Sequence, residues 1–125
     1  MALSSLARAM EDNAMHDELP MQKLDAYRIA RELARRVHLA GIRDAELRDQ
    51  ATRASKSTFL QLCEGLPLDS VAMRRKYFAC ANGSLHETVG AVDLAAAIGA
   101  IDDSDARDVV ALGAKLKPML RALAR

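Results

Sequence analysis

The stretch from Asp69 to Ile98 reads as one long helix, and the rest of the chain has to be arranged around it. Val71, Phe78, Ala81, Leu85, Val89, Val92 and Ala96 fall on one side, in the three-or-four spacing of a buried stripe. The opposite side is also low in polarity, carrying Met73, Cys80, Ser84, Glu87, Ala91, Leu94 and Ile98. A helix with two such faces has something packed against both. One face is expected to join the core and the other to form a subunit interface. At about 1.5 Å per residue this helix is roughly 45 Å long, more than a small domain usually needs.

Helix-punctuating residues divide the remainder into three further helices. Pro20 opens the first, predicted over Met21 to Ala40, and Gly41 stops it. Its apolar side is Ala26, Tyr27, Ala30, Leu33, Ala34 and Val37. Arg28, Arg31 and Arg35 project from the far side, interrupted by Asp25 and Glu32, as either a solvated surface or a phosphate-contacting strip. The second helix is predicted from Asp44, its N-cap, to Glu64, with Gly65-Leu-Pro67 as the stop. Leu47, Ala51, Ala54, Thr58 and Leu62 line one of its sides and Arg53, Ser57, Leu60 and Glu64 the other. Asp69 or Ser70 caps the long third helix, which opens on Arg74-Arg75-Lys76. Gly83 and Gly90 lie inside it; each costs about 1 kcal/mol against alanine there, so a close backbone approach is expected at both.

Gly99 ends the third helix, and Asp102-Asp103-Ser104-Asp105 supplies an N-cap and first-turn carboxylates for the fourth. That helix is predicted from Ser104 to Ala124, buried through Val109, Leu112, Leu116, Met119 and Leu123. Lys115, Lys117, Arg121 and Arg125 complement its dipole, and Pro118 is expected to kink it or to start its last segment. Four helices with short connections predict an all-α, up-down-up-down four-helix bundle over 20–125, with no strand. Residues 1–19 read as an arm of different character: Leu3, Leu6, Met10 and Ala14 form a weak amphipathic pattern whose second half is acidic.

Composition supports helix-on-helix packing, since half the residues are hydrophobic but only 3% are aromatic. A formal net charge of +1 is not that of a dedicated nucleic-acid binder, although the charge is unevenly spread. Cys63 and Cys80 lack metal-ligand spacing and read as reduced thiols serving as small hydrophobes. No apolar run approaches the roughly 20 residues of a membrane span, and no signal-peptide pattern opens the chain, so the cytoplasm is expected.

Catalytic and metal constellations are not found in the sequence. A di-metal carboxylate bundle needs Glu-x-x-His on two helices. His16, His38 and His86 are instead preceded at the third position by Asn13, Arg35 and Gly83. There is no glycine-rich phosphate loop and no nucleophile elbow. Neither enzyme activity nor a cofactor nor a small-molecule substrate is expected. What remains is a polar seam: Arg53, Ser57 and Glu64 on the second helix, Ser84 and Glu87 on the third. If these faces approach, Arg53 and Glu87 are placed to form a charge-assisted hydrogen bond. With Leu60, Cys80, Leu94 and Ile98, the seam forms the candidate oligomer interface.

The ordered set of these residues resembles a family of four-helix-bundle proteins encoded in intervening sequences of bacterial large-subunit (23S) ribosomal RNA genes. The match runs from about Leu24 to Arg125. Leu24, Tyr27, Ala30 and Leu33 resemble the family's opening helix. Gln50-Ala-Thr-Arg53, Ser57 and Glu64-Gly65 resemble its second. Arg75, Tyr77-Phe78, Ala81, Gly83-Ser84-Leu85, Glu87, Leu94-Ala95 and Gly99 resemble its third. Phe59 and Gln61 stand where the family commonly has Pro and Asn, which predicts a straighter second helix here. The family also tends to be more basic.

The resemblance implies a ring-like homo-oligomer, typically a pentamer. It also implies kinship with accessory proteins that accompany the reverse transcriptases of diversity-generating retroelements and bind both enzyme and RNA. Carried onto this chain, RNA contact falls to Arg28, Arg31, Arg35, Arg74, Arg75, Lys76, Lys117 and Arg121. Two expectations follow. An adaptor for structured RNA, or for an RNA-handling protein such as a reverse transcriptase, has its basic residues gathered on one end or surface. A purely protein-binding scaffold has them evenly mixed.

Overall fold

A computed structural model of the chain describes Leu19, Pro20 and residues 24–125. Four helices account for most of it: α1 (Asp25–Leu39), α2 (Ala45–Gly65), α3 (Val71–Ala97) and α4 (Asp103–Leu123). Among the described residues there is no strand. The arm expected over 1–19 lies, apart from Leu19, outside the described residues, as do 21–23 at the predicted start of the first helix.

Each helix packs on the next in the chain, and α1 closes against α4, with the α2–α3 contact the most extensive. Side chains fix the register. Ser57 Oγ lies 2.9 Å from Ser84 Oγ, and a side chain on Gly65 would run into Phe78, so α2 and α3 are antiparallel. Gly113 faces Val89 and Leu85 while Arg75 reaches Ala124, so α4 runs antiparallel to α3. The arrangement is the up-down-up-down bundle expected.

The helix ends follow from their capping residues. Asp44 accepts a hydrogen bond from the Leu47 amide at 2.9 Å and Ser70 one from Met73 at 3.3 Å. Gly99, at φ +73°, ends α3 in a Schellman turn: its own amide donates to Ala96 O and that of Ala100 to Ala95 O. Within the Asp102-Asp103-Ser104-Asp105 turn expected to supply the cap of α4, the N-cap position falls to Asp102, which makes no side-chain cap bond; its carboxylate accepts from Arg43 at 3.2 Å instead. Pro118 neither breaks nor restarts α4, which runs through it to Leu123. The neighbouring carbonyls there, like Pro118 itself, lie on the exposed side, where water can replace the missing amide.

The core is aliphatic, as the composition requires: Leu33, Leu62, Leu85, Val92, Val109, Leu116 and Leu120 are buried around Phe78. Two loop residues, Ile42 and Ile101, complete it at one end. Thr58 and Thr88 are fully buried yet satisfied, each returning its hydroxyl to the carbonyl one turn back, Ala54 at 2.9 Å and Ser84 at 2.8 Å.

The long helix differs from its predicted faces in two places. Val71, expected in the buried stripe, is 51% exposed, because α3 begins there and its first turn overhangs the core. Ala91, expected on the outer face, is only 7% exposed, because α2 lies against that flank. The close approaches expected at Gly83 and Gly90 are also absent within the chain, where a Cβ on either would meet nothing within 4 Å. Such approaches occur instead at Gly65, 2.8 Å from Phe78 Cε1, and Gly113, 2.8 Å from Val89 Cγ2.

Candidate nucleic-acid interface

One end of the bundle carries the α1–α2 and α3–α4 connections; the other carries the α2–α3 connection, the start of α1 and the chain terminus. Charge is divided between them. At the first end stand Asp44, Glu46, Asp49, Asp93, Asp102, Asp103, Asp105 and Asp108, with Arg36, Arg43, Arg48 and Arg107. At the second stand Arg28, Arg74, Arg75, Lys76, Lys117, Arg121 and Arg125, opposed by Asp25, Glu64 and Asp69. A formal net charge of +1 thus conceals a molecule that is acidic at one end and basic at the other.

The basic end is built from the first turns of α3 and the last turns of α4. The two are tied together where Arg75 Nε donates to Ala124 O at 3.0 Å, neutralising the carbonyl end of α4. Arg75, Lys76 and Arg121 are exposed, whereas Arg74 and Lys117 are half-buried. Arg28 belongs to this end, but Arg31 and Arg35 lie progressively farther along α1. Arg35 is also engaged, at 3.1 Å from Glu32 Oε1. The same oxygen accepts from Arg36 Nε at 2.8 Å, and Arg36 reaches Asp108 on α4 at 3.1 Å. The hydrogen bond from Arg36, aided by the charge of Arg35, holds the Glu32 carboxyl below its ordinary range. Arg125, expected only as a partner of the α4 dipole, joins the patch because α4 ends beside the start of α3.

The seam residues also come together. The Ser57–Ser84 bond seats the outer flank of α2 on that of α3, which brings Arg53, Leu60 and Glu64 onto one face with Cys80, Glu87, Leu94 and Ile98. Arg53 and Glu87, however, make no ion pair there. Both are exposed, and an exposed pair gains too little to hold two long side chains in place. Cys80 is exposed rather than packed, while burial and the nearby Glu64 push the half-buried Cys63 thiol up. None of the four aromatic residues is exposed; Tyr27 and Phe59 pack on each other with ring centroids 5.0 Å apart.

Among the described residues, no three His, Cys, Asp or Glu side chains converge as a metal site would require, and no helix is long and apolar enough to cross a membrane. Fold and site together define a small helical-bundle protein with a charged end and an uncovered apolar face. The chain belongs to the 23S rRNA-intervening sequence protein family, whose profile matches residues 22–122. No curated protein matches it.

Proposed function

We propose that this protein is a non-enzymatic, homo-oligomeric adaptor of the cytoplasm whose basic end lies on the phosphates of a structured RNA. The observation that carries the reading is the gathering of Arg75, Lys76, Arg121 and Arg125 at one end of a nearly neutral chain. Oligomerisation repeats this patch in every copy, so modest contacts add up to useful affinity. Without exposed aromatic platforms, recognition rests on backbone charge and shape rather than on base stacking. Membership of a family named for an intervening sequence of 23S rRNA fits an RNA setting. The exposed Leu60, Leu94 and Ile98 favour a second reading, a scaffold that binds protein only, such as an RNA-handling enzyme like a reverse transcriptase.

Light scattering of the full chain, alone and with a structured RNA at low and moderate salt, separates the two. The adaptor takes up RNA, and its affinity falls steeply with salt, by about 0.7 to 0.9 logarithmic units per phosphate contact for each tenfold rise. Lys76→Glu combined with Arg121→Glu abolishes uptake, while Arg48→Glu at the opposite end does not. An oligomer indifferent to RNA at low salt rejects the adaptor and leaves the scaffold.

A further inference from the structure

The chain enters the bundle at its basic end. Leu19 and Pro20 line an apolar groove with Leu24 before α1, Cys63 on α2, and Leu66 and Pro67 beyond it. The eight residues just before Leu19 hold four carboxylates, Glu11, Asp12, Asp17 and Glu18, and no Lys or Arg. They are tethered to the end where, among the described residues, seven Lys and Arg stand with only three carboxylates. A segment fixed beside its target acts at an effective concentration in the millimolar range, so weak pairings suffice to hold it there.

An unanswered donor stands at the same end. Arg74 shares its side of α3 with Phe78, Ala81 and Leu85, all of them buried. Side chains lean toward the start of their helix, so Arg74 lies over the end of the core. Its Nε is one of two buried side-chain polar atoms that make no hydrogen bond among the described residues. A guanidinium edge closed off from water requires an acceptor, and a carboxylate meets it with two parallel bonds.

We propose that residues 11–18 lie across the basic end of their own chain and hold it closed against RNA. Asp17 and Glu18 fall nearest Arg74, and Glu11 and Asp12 reach toward Lys117 and Arg121 on α4. This device acts on the RNA site proposed above and rests on that reading. Length permits it, since eight residues span about 12 Å as a helix and about 26 Å extended, while packed helices stand about 8 to 10 Å apart. The segment is a tethered competitor. It offers carboxylates where RNA offers phosphates, and RNA binds by displacing it. A patch occupied nine-tenths of the time by its own chain binds RNA about tenfold more weakly than the bare patch.

Two measurements on the full chain test the device. A zero-length carbodiimide joins a carboxylate only to an amine in contact with it, and peptide mass spectrometry should find residues 11–18 joined to Lys76 or Lys117. In parallel, Glu11→Gln, Asp12→Asn, Asp17→Asn and Glu18→Gln in one chain should raise affinity for a structured RNA about tenfold at 0.1 M salt. Glu46→Gln with Asp49→Asn, at the far end of α2, should change it by less than about twofold, because that end lies beyond the Debye length of about 10 Å. No link to either lysine, with both open to acetylation, overturns the contact even if the affinity rises. Links without a rise in affinity overturn the competition. If neither form takes up RNA, the RNA reading itself falls, and the links alone decide whether the segment covers the basic end.

Discussion

Glycines inside helices have opposite meanings in this molecule, depending on which way the missing side chain would point. At Gly65 an added Cβ lies 2.8 Å from Phe78 Cε1 and 3.0 Å from Tyr77 Cβ, in a wall that includes the largest buried side chain of the core. Gly65→Ala therefore gains helix propensity but loses more to overpacking, a net cost of about 1 to 3 kcal/mol. At Gly83 the same substitution meets open space, and the monomer gains about 0.5 to 1 kcal/mol. Urea unfolding of the two variants at matched protein concentration is expected to move the midpoints in opposite directions. From the sequence alone Gly65 reads as a helix stop and Gly83 as the glycine that needs a close approach, and the contacts reverse the two. The difference lies in what stands across the gap, which no local pattern records.

Among the elements, helix number, order and ends were legible because each rests on a local signal: Asp44 and Ser70 as caps, Gly41 and Gly99 as left-handed stops. Long-range partners were not legible. The turn Asp102-Asp103-Ser104-Asp105 reads as a source of helix caps, yet the Asp102 carboxylate is drawn to Arg43, which also donates to Gly99 O at 3.0 Å and whose amide donates to Ala100 O at 2.7 Å. One arginine thus clasps both connections of the acidic end above Ile42 and Ile101. Its side-chain bonds are exposed, so Arg43→Ala is expected to cost only about 1 kcal/mol, read as a small fall in Tm. Hydrogen exchange should localise the loosening to residues 98–102. The junction of α1 with α4 predicts a pH effect. The Glu32 carboxyl is held low by Arg36 and Arg35, so its stabilisation is present above the ordinary glutamate range and is lost as pH falls through the lowered value. Glu32→Gln should flatten the acid limb of a stability-against-pH curve and leave neutral pH nearly unchanged, as befits an exposed pair. Of the candidate site, the arginines were legible as residues but not as a patch. Arg31 and Arg35 read like the others, and only the bundle topology sets Arg75, Lys76 and Arg121 together while leaving those two farther along α1.

At the scale of the whole molecule, net charge is a poor guide because the excess of carboxylates and the excess of cations lie at opposite ends. Cations crowded at one end repel one another, and a polyanion laid across them removes that repulsion while binding only the folded chain. Binding to the native state alone raises stability by about 2.7 kcal/mol when free ligand is a hundredfold above its dissociation constant. Inorganic polyphosphate, which carries phosphate charge without bases or a defined shape, should therefore raise Tm at low salt, with the shift vanishing as salt screens the contact. Lys76→Glu with Arg121→Glu should remove the shift, and Arg48→Glu should preserve it. A shift that survives the double variant but disappears with Arg31→Glu and Arg35→Glu moves the anion site from the end of the bundle to the flank of α1.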